Sequence, residues 1–299
     1  MSSLLINASF APETLANYTK SFRDFVSFTR SIGAGSLPAT SKTIQKYISY
    51  CFIKRRKYGS IRSAVTAVSF FHKMNDSPDP TKHYRVTLLF KGVKRNSKKK
   101  TKLLPISHGL LEKILDKTYN ILTVYDKKCL QASFLLLYYG CLRIGELVKS
   151  GKPNHMIRAE NVRFLYKGKN LKGVRITLDS YKHSDEPVTF KIKCAAKQYC
   201  PVRALLAFFH IRGSGDGPVF IKSNSKMVTR DFIASHLKSI IKSLGLNDRL
   251  YNTHSFRIGR ASDMAKKGVP EQIIKRTGRW ESTAYTRYIR FEVFEVPVP

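Results

Sequence analysis

Acidic side chains are scarce in this chain: among 299 residues, 20 Asp and Glu stand against 54 Lys and Arg, a formal charge of +34. The deficit runs through both halves. Residues 1–104 carry 20 basic and 4 acidic side chains, and residues 105–299 carry 34 and 16. This excludes a neutral domain with a basic tail and points to a polyanion that touches both halves. Long apolar runs are missing as well. The most apolar stretch, residues 134–142, is too short to span a bilayer, and residues 1–10 lack the basic and apolar regions of a secretory signal. With no lipidation motif and no long basic amphipathic helix, an acidic membrane is the weaker candidate for the polyanion. Cysteine is sparse and unpaired in pattern. Cys51, Cys129, Cys141, Cys194 and Cys200 are odd in number and form no C-x-x-C, which argues against disulfides and zinc and for a reducing compartment. No internal repeat, metal-ligand cluster or Gly-rich phosphate loop is visible. The expectation is a soluble intracellular protein.

What remains is globular in composition, 42% hydrophobic and 11% aromatic. Apolar residues recur at helical spacing after Pro12 (Leu15, Tyr18, Phe22, Phe25), after Ser41 (Ile44, Tyr47, Ile48, Cys51) and after Ser60 (Ile61, Val65, Val68). A fourth helix is predicted over about residues 81–93. These make an all-α domain over residues 1–93. The run 94–102 has six basic residues and no apolar anchor, so residues 94–104 read as an extended basic linker. It would strap against a polyanion backbone, and in a nucleated cell it would double as a nuclear import signal. Residues 105–299 form the second domain. A helix follows Ser107, and an apolar helix over about 126–139 is closed by Gly140. Alternation at Val162, Phe164, Tyr166, then Val174, Ile176, Leu178, then Val188, Phe190, Ile192 predicts a small antiparallel sheet. Gly168 and Gly173 are expected to bound its first turn and residues 180–186 to form its second. Helices return over 201–211, 229–244, 253–267 and 270–277. The fold class is mainly α with a small antiparallel β-sheet.

Within this frame a few residues are suited to phosphate chemistry. His254 and Arg257 lie three apart behind an N-cap at Asn252 or Thr253, which puts both on one helix face beside a positive helix end. Arg143 and Glu146 form a second i,i+3 pair in apolar surroundings, where Glu146 would hold the arginine and leave donors for a phosphate. Lys182 lies at the second hairpin tip. Trp280, the sole tryptophan, follows Gly278 and Arg279, and Tyr285 and Tyr288 follow among arginines. Each alone has an ordinary structural explanation: a helix salt bridge, a solubilising lysine, a core indole, a packed phenol.

In order and spacing together, R-x-x-E, a hairpin lysine, H-x-x-R, G-R-W and Y-T-R-Y-I resemble the tyrosine recombinases, or phage-integrase family. The flavour is closest to Crypton-like recombinases of eukaryotic mobile elements. The resemblance covers about residues 105–290, and the N-terminal helices are similar to that family's core-binding domain. It implies an α+β catalytic domain and an enzyme that cuts and rejoins DNA through a 3′-phosphotyrosyl bond, with no metal or nucleotide cofactor. By position, Arg143 and Arg257 would grip the scissile phosphate, His254 and Trp280 would assist, Lys182 would protonate the leaving 5′ oxygen, and Tyr288 would attack. Glu146 would orient its neighbours. Tyr285 stays open as the nucleophile and Lys172 as the acid. The implied partners are double-stranded DNA and further copies of the chain, as a tetramer with the tail beyond Tyr288 exchanged in trans. Lys54, Arg55, Arg56, Lys57, Arg62, Lys94, Arg95, Lys98, Lys99 and Lys100 are candidate DNA-backbone contacts. Two other readings share these features: a type IB topoisomerase, and a domesticated DNA-binding protein without cleavage.

Overall fold

The computed structural model describes residues 9–97, 102–118, 123–149, 155–181, 186–196 and 198–290. Lys98, Lys99, Lys100, Lys182 and the tail from residue 291 lie outside them. The chain divides into two compact units, Met1–Lys100 and Thr101–Pro299.

Among its described residues the first unit has helices as its only regular structure. α1 (Pro12–Ser31) starts on Pro12, whose missing N–H costs nothing in a first turn. α2 (Ser41–Ile53) is capped one residue earlier than its sequence suggests: Thr40, rather than Ser41, accepts from the Thr43 N–H at 3.2 Å. α3 (Tyr58–Met74) begins two residues before Ser60, its first turn anchored by the Tyr58 ring lying edge-on to Phe90 at 6.2 Å. α4 (Tyr84–Asn96) corrects the predicted fourth helix at both ends. Asp79 caps a separate short turn at Pro80–Lys82, accepting from Thr81 N at 3.0 Å, so the helix begins later. At the other end Lys94, Arg95 and Asn96 continue the helix instead of opening a linker. Two cations beside a helix C-terminus are favourable there, and Asn96 and Ser97 bond back to the Gly92 and Val93 carbonyls. Phe25, Ile44, Tyr47, Ile48, Ile61, Val68 and Val86 form the core, where each buried large side chain contributes about 1.5–3 kcal/mol. His72 is buried among them and satisfied, bonded to Val68 O at 2.8 Å and to Ala39 N at 2.9 Å.

The second unit is built round one apolar helix. α5 (His108–Lys117) is capped by Ser107. α6 (Val124–Tyr139) is capped by Thr123 and buried on every side from Leu130 to Tyr138, Gln131 excepted. It packs on α8 (Pro201–Arg212) and on α10 (His254–Lys266), where Phe134 stacks on Phe256 at 5.1 Å. After Gly140 comes the single turn of α7 (Ile144–Leu147). β1 (Val162–Lys167), β2 (Asn170–Leu178) and β3 (Val188–Lys193) form an antiparallel sheet in that order, with Ile176 opposite Val162 and Phe190. Val162, Val174, Ile176, Leu178 and Ile192 face the core. Gly173 does not bound the first turn. It sits inside β2 opposite Leu165 and Lys193, where an added Cβ would lie 2.7 Å from the Ile192 carbonyl oxygen. α9 (Arg230–Ser243), capped by Thr229, and α11 (Glu271–Gly278) complete the α-helices among the described residues, followed by a 3-10 turn at Thr283–Tyr288.

Candidate active site

The start of α10 sets the position of His254 and Arg257. Asn252 Oδ1 accepts from the His254 N–H at 2.7 Å, and Ser255 Oγ accepts from the Asn252 N–H at 3.1 Å. Asn252 therefore does the capping, while Thr253 is already helical and makes no cap bond. The extended stretch before α5 fixes the helix from behind, through Leu104 N to Leu250 O at 2.8 Å and Ile106 N to Ser255 O at 3.0 Å. Gly259 permits this contact, because a Cβ there would fall 1.7 Å from Ile106 O. Arg257, one turn into the helix, is 0% exposed. Its guanidinium donates to the carbonyls of Cys141 and Gly278, the latter at 2.5 Å.

Arg143 stands at the N-cap of α7. Glu146 Oε1 accepts from Arg143 Nη1 at 2.8 Å, and Oε2 accepts from the Arg143 backbone N–H at 3.0 Å. The sequence-level pair is real, but it has a third member. Arg279 Nη2 donates to Glu146 Oε2 at 2.6 Å. Glu146 is only 2% exposed. Burial pushes its carboxyl up, but Arg279, Arg143, the Arg143 N–H and Arg257 outweigh that, and the group ends below the usual carboxylate range. Burial lowers Arg257 from the ordinary arginine value, with Arg143 and Arg279 acting in the same sense and Cys141 and Glu146 against it.

Trp280 enters through the end of α11. A Cβ on Gly278 would lie 2.0 Å from the Trp280 ring, so glycine is the residue that lets the indole fold back. Arg279 takes the left-handed C-cap conformation, φ 52°, where glycine is the usual occupant and other residues pay about 1–2 kcal/mol. Trp280 is 8% exposed and carries the Arg257 guanidinium 4.2 Å from its ring centroid. The 3-10 turn then delivers Tyr288. Its ring lies 5.0 Å from His254, 5.0 Å from Trp280 and 5.3 Å from the Arg257 guanidinium. Ser262 holds this segment at two points, donating to Tyr288 O at 3.2 Å and accepting from Arg290 N at 2.9 Å.

Tyr285 has different company. It is 8% exposed, 6.4 Å from Trp280 and beneath Lys275 at 5.4 Å. Burial and a hydrogen bond to the Glu271 carboxylate raise its phenol, making it harder to ionise.

Arg143, Arg257, His254, Trp280, Tyr288 and Glu146 are thus brought into one neighbourhood. Lys182 lies outside the described residues. Tyr181, just before it, donates to Glu281 Oε1 at 3.0 Å, which brings the start of that hairpin turn beside the Trp280 segment. Lys172 is exposed in β2, about 20 Å along the strand from Leu178. Among the described residues no three His, Cys, Asp or Glu side chains group as a metal site. The arginine missed in the sequence is Arg279; its only signal was a long cation where G-x-W has room for any residue. In the other unit, Arg62 and Lys94 line a groove of about 420 Å³ with Tyr58, Thr66, Thr87 and the unpredicted Lys91. Lys54, Arg55 and Lys57 cluster between α2 and α3, whereas Arg56 is paired with Asp24 at 3.4 Å. Arg95 lies on the last turn of α4.

No family model matches the chain. It is 24% identical over 300 residues to an integrase/recombinase xerD homolog of Selenomonas ruminantium, covering 95% of this chain and 83% of the relative. Among solved structures it is similar to the Tn1549 transposon integrase in complex with transposon right end DNA (TM-score 0.67, 12% identity, 98% of this chain and 94% of that one). It is also similar to a lambda integrase dimer bound to a core site (TM-score 0.63, 14% identity, 99% and 77%). The fold is the one these integrases share, and the likeness in fold extends over nearly the whole chain.

Proposed function

We propose that the chain is a site-specific DNA recombinase using Tyr288 as nucleophile. One observation carries this reading: the Tyr288 ring is packed against His254, Trp280 and the Arg257 guanidinium together. A neutral core would have no use for the charge there. Arg143, Arg257 and Arg279 face a single carboxylate, Glu146, so the cluster carries excess positive charge that an anion would balance. Arg257 Nε and Trp280 Nε1 are buried donors without a protein acceptor among the described residues, which suits phosphate oxygens.

In the reaction, Tyr288 Oη forms a bond to the scissile phosphorus as the bond to the 5′ oxygen breaks. His254 takes up the phenol proton or holds a phosphate oxygen, and Lys182 supplies the proton that leaves with the 5′ hydroxyl. Arg143 and Arg257 stabilise the charge of the five-coordinate transition state. Attack by a 5′ hydroxyl on the phosphotyrosine reverses each bond and proton, so no external energy source is needed. The integrase and recombinase relatives support the class of reaction, and the transposon integrase among them suggests a mobile-element role. Assembly would be a tetramer on paired sites, with the tail beyond residue 290 reaching a neighbouring copy and nuclear import through the basic run in a nucleated cell. Incubation with nicked duplex DNA carrying the cognate site tests the reading: a protein–DNA adduct that survives denaturation is expected from wild type and none from Tyr288→Phe. Equal adduct from both proteins would overturn it.

A further inference from the structure

Arg279 is a buried, heavily engaged cation of the second unit, and the chemistry above gives it no task. Its side chain is 5% exposed, and it donates to Glu146 Oε2 at 2.6 Å, to Gly140 O at 3.2 Å and to Cys141 O at 3.4 Å. Its guanidinium lies 5.1 Å from the Phe190 ring of β3. Its backbone sits in the left-handed region that glycine fills without strain, so the cap itself does not call for arginine. The side chain joins three pieces of chain: the segment carrying Trp280, the Gly140–Cys141 turn ahead of Arg143, and the sheet that leads to the second hairpin.

The consequence falls on Arg143. Glu146 holds one guanidinium nitrogen of Arg143 on Oε1 and its backbone N–H on Oε2, and Arg279 donates to that same Oε2. A carboxylate held by Arg279 fixes Arg143 through Nη1 and leaves its other guanidinium donors without an acceptor among the described residues. We propose that Arg279 is a positioning residue for the strand-transfer reaction, clamping Glu146 so that Arg143 meets the scissile phosphate in a fixed orientation. The charged groups facing Glu146 are Arg143, Arg257 and Arg279, with the Cys141 thiol next to them, and Arg279 is the strongest of those that hold the carboxyl ionised.

The proposal rests on the recombinase reading, and one experiment separates the two. Full-length wild type, Arg279→Gly, Arg279→Gln, Glu146→Gln, the Glu146→Gln/Arg279→Gln double variant and Tyr288→Phe are each incubated with a pool of nicked duplexes whose core is randomised. Denaturation-resistant adducts are timed from acid to alkaline pH, and melting curves are recorded alongside. Glycine suits the backbone at 279 and glutamine keeps a donor without the charge, so at least one variant should fold. The expected result is unchanged DNA retention with adduct formation slowed about a hundredfold in both Arg279 variants. Their acid limb should move to higher pH, because Glu146 protonates more readily without Arg279. Glu146→Gln combined with Arg279→Gln should be no slower than the worse single variant. A wild-type rate in either Arg279 variant, or a slower rate with an unmoved acid limb, overturns the positioning role and leaves the recombinase reading standing. Absence of adduct from wild type overturns the recombinase reading, and the positioning role with it.

Discussion

Tyr285 and Tyr288 share one wall, Trp280, and differ in almost everything else they touch. Tyr288 faces His254 and the Arg257 guanidinium, while Tyr285 is tied to Glu271 and Lys275. Tyr285→Phe should therefore keep strand cleavage within about tenfold of wild type, since the ring packing is kept and only the hydroxyl's bond to Glu271 is lost. Gel-resolved single-turnover cleavage would measure it. Glu146 gives a second prediction. Its folded-state pKa lies below its ordinary value of 4.5, so its pairing stabilises the protein fully above that pH, and the contribution is lost as pH falls through the depressed value. Glu146→Gln should cost about 3 kcal/mol at neutral pH, and the gap to wild type should close in acid; urea melts at several pH values would show it. Arg143, His254 and Arg257 were legible in the sequence because each motif is local, three residues on one helix or cap. Arg279 was not, since its partners Gly140 and Glu146 lie more than a hundred residues away and only the fold brings them close.

At the scale of elements, two close approaches hold the site's frame. Gly278→Ala should push Trp280 off its place, costing about 1–3 kcal/mol and weakening its contact with Arg257 and Tyr288; loss of near-ultraviolet ellipticity from this single tryptophan would report it. Gly259→Ala should be worse, about 3 kcal/mol or more, because the atom it meets is the Ile106 backbone carbonyl and cannot rotate away. Thermal unfolding of the two variants, with Gly259→Ala the less stable, checks the order. Helices and strands were readable from apolar periodicity, since packing on a core enforces it. Their ends were less so. Thr40 instead of Ser41, and a fourth helix running through Lys94–Asn96, depend on bonds that composition does not encode. Gly173 looked like a turn residue, yet it lies where β3 comes too close for a side chain.

For the whole molecule, a charge of +34 spread over both units makes salt the dominant variable in DNA affinity. Binding should weaken by roughly a thousandfold between about 50 and 200 mM salt if about six phosphates are neutralised. Arg62→Ala and Lys91→Ala in the helical unit's groove should each reduce the slope of log affinity against log salt by about 0.9, without changing the strand cleaved. Composition alone announced the polyanion but not what is done to it. That claim rests on Tyr288, and the most direct measurement is mass spectrometry of the peptide that carries DNA after a nicked cognate duplex is cleaved. A 3′-phosphate ester on Tyr288 is expected. An ester on Tyr285, or on any other residue, would contradict it.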